Sequence, residues 1–236
     1  MRVNEFKQPI GFKQPIGEAL DDFVTPSFPD AQTLEGSYGR LTKLSIEHIN
    51  DLYDVLCDVE SRRIWTYLYE GPFDSKTEFE QYIKQLIDSK DKYFFTILDN
   101  VQQKPLGILA LMRINPEQGS IEVGNIIYSK TLKKTRVATE TQYLLAKYVF
   151  ETLGYRRYEW KCDNLNAPSK RAAQRFGFTY EGLFRQSNIC KGRNRDTAWF
   201  SMLDSEWPDV KARFEHWLKP SNFDQEGQQI KHLNDF

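Results

Sequence analysis

Ile121-Glu122-Val123-Gly124-Asn125-Ile126-Ile127-Tyr128 runs into a polar segment, residues 129–137, and then into Ala138-Thr139-Glu140-Thr141. The first eight residues have the length and apolar content of a buried strand. The last four open a helix over residues 138–153. Its Leu144, Leu145, Tyr148, Val149 and Thr152 keep close to a 3.6-residue period until Gly154 supplies a left-handed C-cap. Between strand and helix stand Lys130, Lys133, Lys134 and Arg136, with no acid among them. Backbone N–H groups in a helix's first turn lack intrahelical acceptors, and the dipole there favours an anion. The segment suits a pyrophosphate; a solvated basic loop is the alternative.

Working downstream, Tyr158-Glu159-Trp160-Lys161-Cys162 is a strand and residues 166–176 are a helix stopped by Gly177. Strand–helix–strand–helix needs a crossover, so strands 120–128 and 158–162 are expected to pair in parallel. Upstream, residues 93–98 and 106–114 read as strands, with turns at Asp99-Asn100 and residues 115–119. With 120–128 they predict an antiparallel meander. Ser45-Ile46-Glu47-His48 looks like a capped helix start, with Ile46, Ile49, Leu52, Tyr53 and Leu56 on one stripe. Residues 77–87 form a second helix through Phe79, Tyr82, Ile83 and Leu86. A short strand at 37–41 begins the regular structure. Strands at 179–185 and 197–203 and a helix opened by Pro208, with Val210, Phe214, Trp217 and Leu218 inward, complete it. The expected class is α/β (α+β): a mixed sheet with antiparallel N-terminal strands, a parallel pair and flanking helices.

The expected organisation is an arm (1–36), one domain (37–218) and a loose polar tail (219–236). The arm holds an identical tandem repeat, Phe6-Lys7-Gln8-Pro9-Ile10-Gly11 and Phe12-Lys13-Gln14-Pro15-Ile16-Gly17. Two six-residue units are too few for a solenoid. They read as a local duplication in a flexible arm, or as an arm lying over a cleft.

The 236 residues are 40% hydrophobic and 28% charged, which suits a globular domain. No apolar run reaches a membrane span, and the first residues lack the apolar core of a secretory signal. Three cysteines, Cys57, Cys162 and Cys190, in no metal-like spacing suggest reduced thiols in the cytoplasm and no metal. Net charge is −1, yet residues 130–195 carry fifteen Lys and Arg against five Asp and Glu. That asymmetry points to an anionic ligand for this part of the chain.

Lys133-Lys134-Thr135-Arg136-Val137-Ala138, followed by Thr139-Glu140-Thr141, resembles the phosphate loop of the GNAT superfamily of acetyltransferases, Gln/Arg-x-x-Gly-x-Gly/Ala. The helix start is similar to the Ala-Thr-Glu-Ala of its RimJ/RimL-like branch, the ribosomal-protein alanine/serine N-acetyltransferase-like proteins. Two positions depart: Lys133 replaces Gln/Arg, and Arg136 replaces the central Gly, which tolerates positive φ and close approach. Arg136 is expected to compensate by forking onto the phosphates. Asn166-Ala167-Pro168-Ser169 through Phe176-Gly177-Phe178 fits the family's Asn-x-x-Ser-(x)7-Gly-Phe at each fixed position. Asp196-Thr197-Ala198-Trp199-Phe200-Ser201-Met202-Leu203 before Glu206-Trp207 matches the branch's last strand.

The resemblance implies that acetyl-CoA lies where strands 120–128 and 158–162 splay apart, its pantetheine pairing along the first, at Ile126 and Ile127. Lys133, Lys134, Thr135, Arg136, Val137, Ala138 and Thr139 would hold the pyrophosphate, with Asn166 and Ser169 beside the cofactor. An amine, either a protein N-terminus or a small molecule, would attack the thioester directly, needing a base, an oxyanion donor and a proton for the thiolate. Glu122 is the candidate base; a cross-strand ion pair is its alternative role. The Tyr that protonates the thiolate in many members falls at Ala173, so that donor is missing. Ser169 is left to hold the thiol. His48, His216 and His232 lie outside the motifs, and Cys162 is expected in the packing. The chain is expected to be a monomer or homodimer, with no membrane and no nucleic-acid partner. Two other functions compete: a CoA-binding regulatory protein without catalysis, and an RNA-binding module using Tyr155, Tyr158, Trp160, Tyr180 and Phe184.

Overall fold

Alternation with period two is written through Ile108, Leu109, Ala110 and Leu111, which send side chains to opposite faces of a sheet and are all buried. In the computed structural model, which describes residues 10–11 and 14–236, that strand is central to an eight-stranded mixed sheet. In chain order the elements are β1 (Ile10–Gly11), β2 (Gln14–Pro15), β3 (Thr33–Glu35), β4 (Gly39–Lys43), α1 (Ile49–Leu56) and α2 (Lys76–Ile87). Then come β5 (Tyr93–Asp99), β6 (Pro105–Asn115), β7 (Ser120–Tyr128), α3 (Arg136–Lys147), β8 (Arg157–Asp163) and α4 (Ala167–Arg175). The chain ends with β9 (Thr179–Cys190), β10 (Arg193–Leu203) and α5 (Trp207–Trp217). Sheet order is β3-β4-β5-β6-β7-β8-β10-β9, and among the described residues only β7 and β8 pair in parallel. One face packs on α1 and α2 through Leu52, Phe79, Ile83 and Ile108; the other packs on α3, α4 and α5 through Leu145, Phe176 and Phe214. The mixed sheet, its antiparallel N-terminal half and its parallel pair match expectation.

Four details differ. The sheet starts at Thr33 rather than near 37, and the segment before it is anchored. Tyr148 Oη accepts from the Asp30 and Ala31 amides at 2.9 and 3.1 Å. β9 and β10 reach Cys190 and Arg193, a hairpin much longer than the polar sequence suggested. α3 begins at Arg136 and widens into a π-helical turn over Tyr148–Leu153 before Gly154, at φ 82°. The tail is not loose: Leu233 is buried, Phe223 packs edge-on against Trp217 at 5.0 Å, and Gln229 Oε1 accepts from Trp217 Nε1 at 2.9 Å. In the repeats, β1 and β2 pair antiparallel. Of the arm expected over residues 1–36 as flexible or cleft-covering, residues 1–9, 12 and 13, which include much of the repeat, lie outside the described residues.

Glu140 fastens α3 to the β3–β4 turn. Its buried carboxylate (4% exposed) accepts from the backbone N–H groups of Ser37, Tyr38 and Gly39 at 2.7, 2.7 and 2.9 Å. Gly36 permits the approach, since a Cβ there would stand 2.6 Å from Glu140 Cδ.

Candidate active site

Parallel pairing of β7 with β8 runs from Ser120↔Arg157 to Val123↔Trp160 and stops, although both strands continue. On its other edge β7 holds an extra residue: Ala110 faces Gly124 and Ile108 faces Ile127, with Asn125 at φ 49°. Such a bulge sharpens the twist and turns a strand away from its neighbour. The strands splay, and a cleft of about 1050 Å³ opens there. Glu122, Gly124, Asn125 and Ile126 line one wall; Trp160, Cys162, Asn166 and Ser169 line the facing wall.

Glu122 is 3% exposed. Its Oε2 accepts from Arg113 Nη1 at 2.6 Å and is ion-paired with Lys161 Nζ at 2.8 Å, so the cross-strand ion pair is present. Oε1 makes no hydrogen bond among the described residues. It is turned toward Gly124, 3.4 Å from where a Cβ on that glycine would stand. Lys161 also reaches Glu159 at 2.6 Å and lies 3.7 Å over the Trp199 ring. From Glu159 the ladder continues through Arg157 to Glu181 on the edge strand. Burial pushes the Glu159 carboxyl up, but hydrogen bonds from Lys161 and Arg157 outweigh it and hold it low. Arg157 holds Glu181 down to about 2.

Ser169 is not the helix cap; Asn166 is, accepting from Ser169 N at 3.2 Å. The Ser169 hydroxyl instead accepts from Trp160 Nε1 at 3.0 Å. It neighbours Cys162, whose thiol burial pushes up against a Ser169 hydrogen bond. Ala173 is fully buried and brings no donor. Across the cleft, burial and the Glu70 charge keep the Tyr82 hydroxyl protonated, against a hydrogen bond from the Asn125 side chain. The histidines lie elsewhere: His48 Nδ1 meets Thr96 Oγ1 at 2.9 Å, His216 stacks on Phe236, and His232 caps the final turn.

The basic loop lies beside the cleft, outside its lining. Thr135 is the N-cap of α3, accepting from Ala138 N at 3.1 Å. The Arg136 and Val137 N–H groups in the first turn have no partner among the described residues. Lys133 and Lys134 are exposed. The positive φ of this loop falls at Lys134 (65°), not at Arg136, so a missing glycine at 136 imposes no strain. The expected fork of Arg136 needs correction: its guanidinium is sandwiched between Tyr38 and Phe223, at 4.9 and 4.5 Å from their ring centres. Thr139 Oγ1 is engaged by Arg175 Nη1 at 3.1 Å. Ile126 lines the cleft, whereas Ile127 is buried in the α1–α2 core.

Three arginines escaped the sequence reading. Arg63 stands near Lys133; although that residue is exposed overall, partial burial of its ammonium and then the Arg63 charge lower its affinity for the proton. Arg113 is directed at Glu122 by a bulge in β6, at φ 46°. Arg195, on β10, lines the cleft. The surplus of cations in residues 130–195 covers Arg195; Arg63 and Arg113 lie outside it. Among the described residues, no group of three His, Cys, Asp or Glu is arranged for a metal ion, and no helix is long and apolar enough to cross a membrane.

The acetyltransferase (GNAT) domain matches residues 40–179. A GCN5-related N-acetyltransferase from Brucella melitensis is 45% identical, covers 92% of this chain and 98% of its own, and superposes with a TM-score of 0.90. A probable acetyltransferase (GNAT family) from Chromobacterium violaceum is 35% identical, covers 85% of this chain and 98% of its own, and superposes with a TM-score of 0.77. The "Uncharacterized N-acetyltransferase p20" of Bacillus licheniformis is 28% identical over 180 residues, 75% of this chain and 98% of that protein.

Proposed function

Because the chain belongs to the GNAT acetyltransferase family, we propose that it transfers the acetyl group of acetyl-CoA to a primary amine by direct attack in a ternary complex. One observation carries this proposal: β7 and β8 lose their pairing beside Glu122 and Ser169, leaving strand backbone open to an amide-bearing chain. Residues 124–128 would receive the pantetheine amides. The Arg136 and Val137 N–H groups, with Lys133, Lys134 and Arg63, would hold the pyrophosphate. Glu122 Oε1 accepts the proton of the attacking amine, directly or through one water. As the carbon–sulfur bond breaks, the Ser169 hydroxyl, fixed by Trp160, donates a hydrogen bond to the departing CoA thiolate, which takes its proton from solvent. The acceptor is a protein N-terminus or a small-molecule amine, and the RimJ/RimL-like branch remains our assignment on the Asn166–Ser169 and 138–141 motifs.

The buried Ala173 is the observation that favours a regulatory, non-catalytic CoA binder; acetyl transfer to any amine excludes it. The RNA-binding alternative loses three of its five aromatics, because Tyr155, Tyr158 and Trp160 are buried and only Tyr180 and Phe184 are exposed.

Acetyl-CoA at one hundred times its dissociation constant is expected to stabilise the protein by about 2.7 kcal/mol, raising Tm by about 5–10 °C. Lys133→Ala with Lys134→Ala should shrink that rise at low salt. Arg136→Ala should lower the Tm of the free protein and leave the rise intact. A double variant that binds acetyl-CoA as wild type does would take Lys133 and Lys134 out of the phosphate site.

A further inference from the structure

Besides Glu122 Oε1, the cleft wall holds two unpartnered buried polar atoms among the described residues, and both are donors. Arg195 lies with its guanidinium 5.0 Å over the Tyr69 ring, and one Nη1–H reaches the Tyr67 carbonyl at a long 3.4 Å. It forms no ion pair among the described residues. Its Nε is buried without a partner, and so is Nε1 of Trp199 further along β10. Both residues line the cleft, and both side chains donate only.

The position is braced from the opposite wall. The tip of the β9–β10 hairpin is tied to the loop after Trp65 by Lys191 Nζ on the Trp65 carbonyl at 2.8 Å and by Cys190 Sγ on the Leu68 carbonyl at 3.6 Å. Carboxylates in the same cleft do not answer Arg195. Glu122 Oε2 is held by Arg113 and Lys161, Asp163 accepts from Leu165 N at 2.8 Å, and Glu70 and Asp91 are exposed at the rim near Lys90 and Lys92.

We infer, resting on the acetyltransferase proposal, that the acceptor amine also carries a carboxylate, and that Arg195 is the residue that selects it. A guanidinium presents parallel N–H groups that match a carboxylate's two oxygens, and the Tyr69 face keeps its plane in place. The amine then points toward Glu122 while its carboxylate is held at the outer wall. A polyamine would bring a further cation against Arg195 and Arg113, an arrangement that discriminates by repulsion.

The test uses the full chain, saturating labelled acetyl-CoA and amines differing only in the carboxylate: α-amino acids with their amides, acidic dipeptides with their amides, and spermidine as cationic control. The carboxylate members are expected to be acetylated, with KM at least about tenfold below their amides. Whether amino acids or dipeptides respond identifies the source of the carboxylate. Arg195→Gln should raise that KM by about tenfold or more, chiefly in KM rather than kcat, with the acetyl-CoA-induced rise in Tm unchanged and partial recovery in Arg195→Lys. The inference is overturned if Arg195→Gln leaves KM untouched, if amides or spermidine match the carboxylates, or if no carboxylate-bearing amine is acetylated although acetyl-CoA raises Tm. An acetyl-CoA-induced rise that never appears removes the cofactor proposal itself, and this inference with it.

Discussion

Glu122→Gln is expected to slow acetyl transfer by about 100-fold while acetyl-CoA still raises Tm as in wild type. The carboxylate is fixed by one oxygen, Oε2, between Arg113 and Lys161. Its other oxygen is turned toward Gly124, immediately past the last parallel pair, Val123↔Trp160. Glutamine keeps the volume and an acceptor but cannot take a proton from the amine. Lys161 keeps Glu159 and the Trp199 face as partners, so the fold should survive the change. The residual rate of the variant should climb steadily with pH, because solvent must then supply the neutral amine. A variant within twofold of wild type would leave Glu122 with only its ion-pair role.

Glu140→Ala is expected to cost about 3 kcal/mol or more and to lower Tm by about 6–12 °C. The substitution strands three backbone donors, Ser37, Tyr38 and Gly39, beneath α3, where one carboxylate serves all of them. Glu140→Gln should fall between, since an amide retains one accepting oxygen. Calorimetry on the free protein reads the effect. A loss below about 1 kcal/mol would mean that water replaces the carboxylate and that this turn does not fasten the helix.

What the sequence made legible follows where burial leaves a periodic trace. Residues 121–128 read as a strand because the short run is apolar, with Ile121, Val123 and Ile127 buried, and the crossover that follows requires a parallel partner. Residues 186–190, Gln-Ser-Asn-Ile-Cys, gave no such trace: they lie on the edge strand β9, mostly exposed on both faces, and only their pairing with β10 makes them a strand. The tail was misread for a related reason. Its few apolar residues, Phe223 and Leu233, find partners in α5 and Arg136 that local spacing cannot reveal. In the site, Glu122 and Ser169 were found through the strand and the helix motif that carry them. Arg136 was given the wrong direction because its two aromatic partners lie about 100 and 90 residues away in sequence. Arg113 and Arg195 were missed because an arginine aimed into a cleft and one in solvent look alike in one dimension.

Hydrogen exchange with and without acetyl-CoA tests the central claim, that the cofactor lies in the splay between β7 and β8, without needing to know the acceptor. Saturating acetyl-CoA should slow exchange at the amides of residues 124–128 and in the first turn of α3, at Arg136 and Val137. The paired ladder Ser120–Val123 should change little. Protection confined to other segments, or no protection at all, would contradict the account.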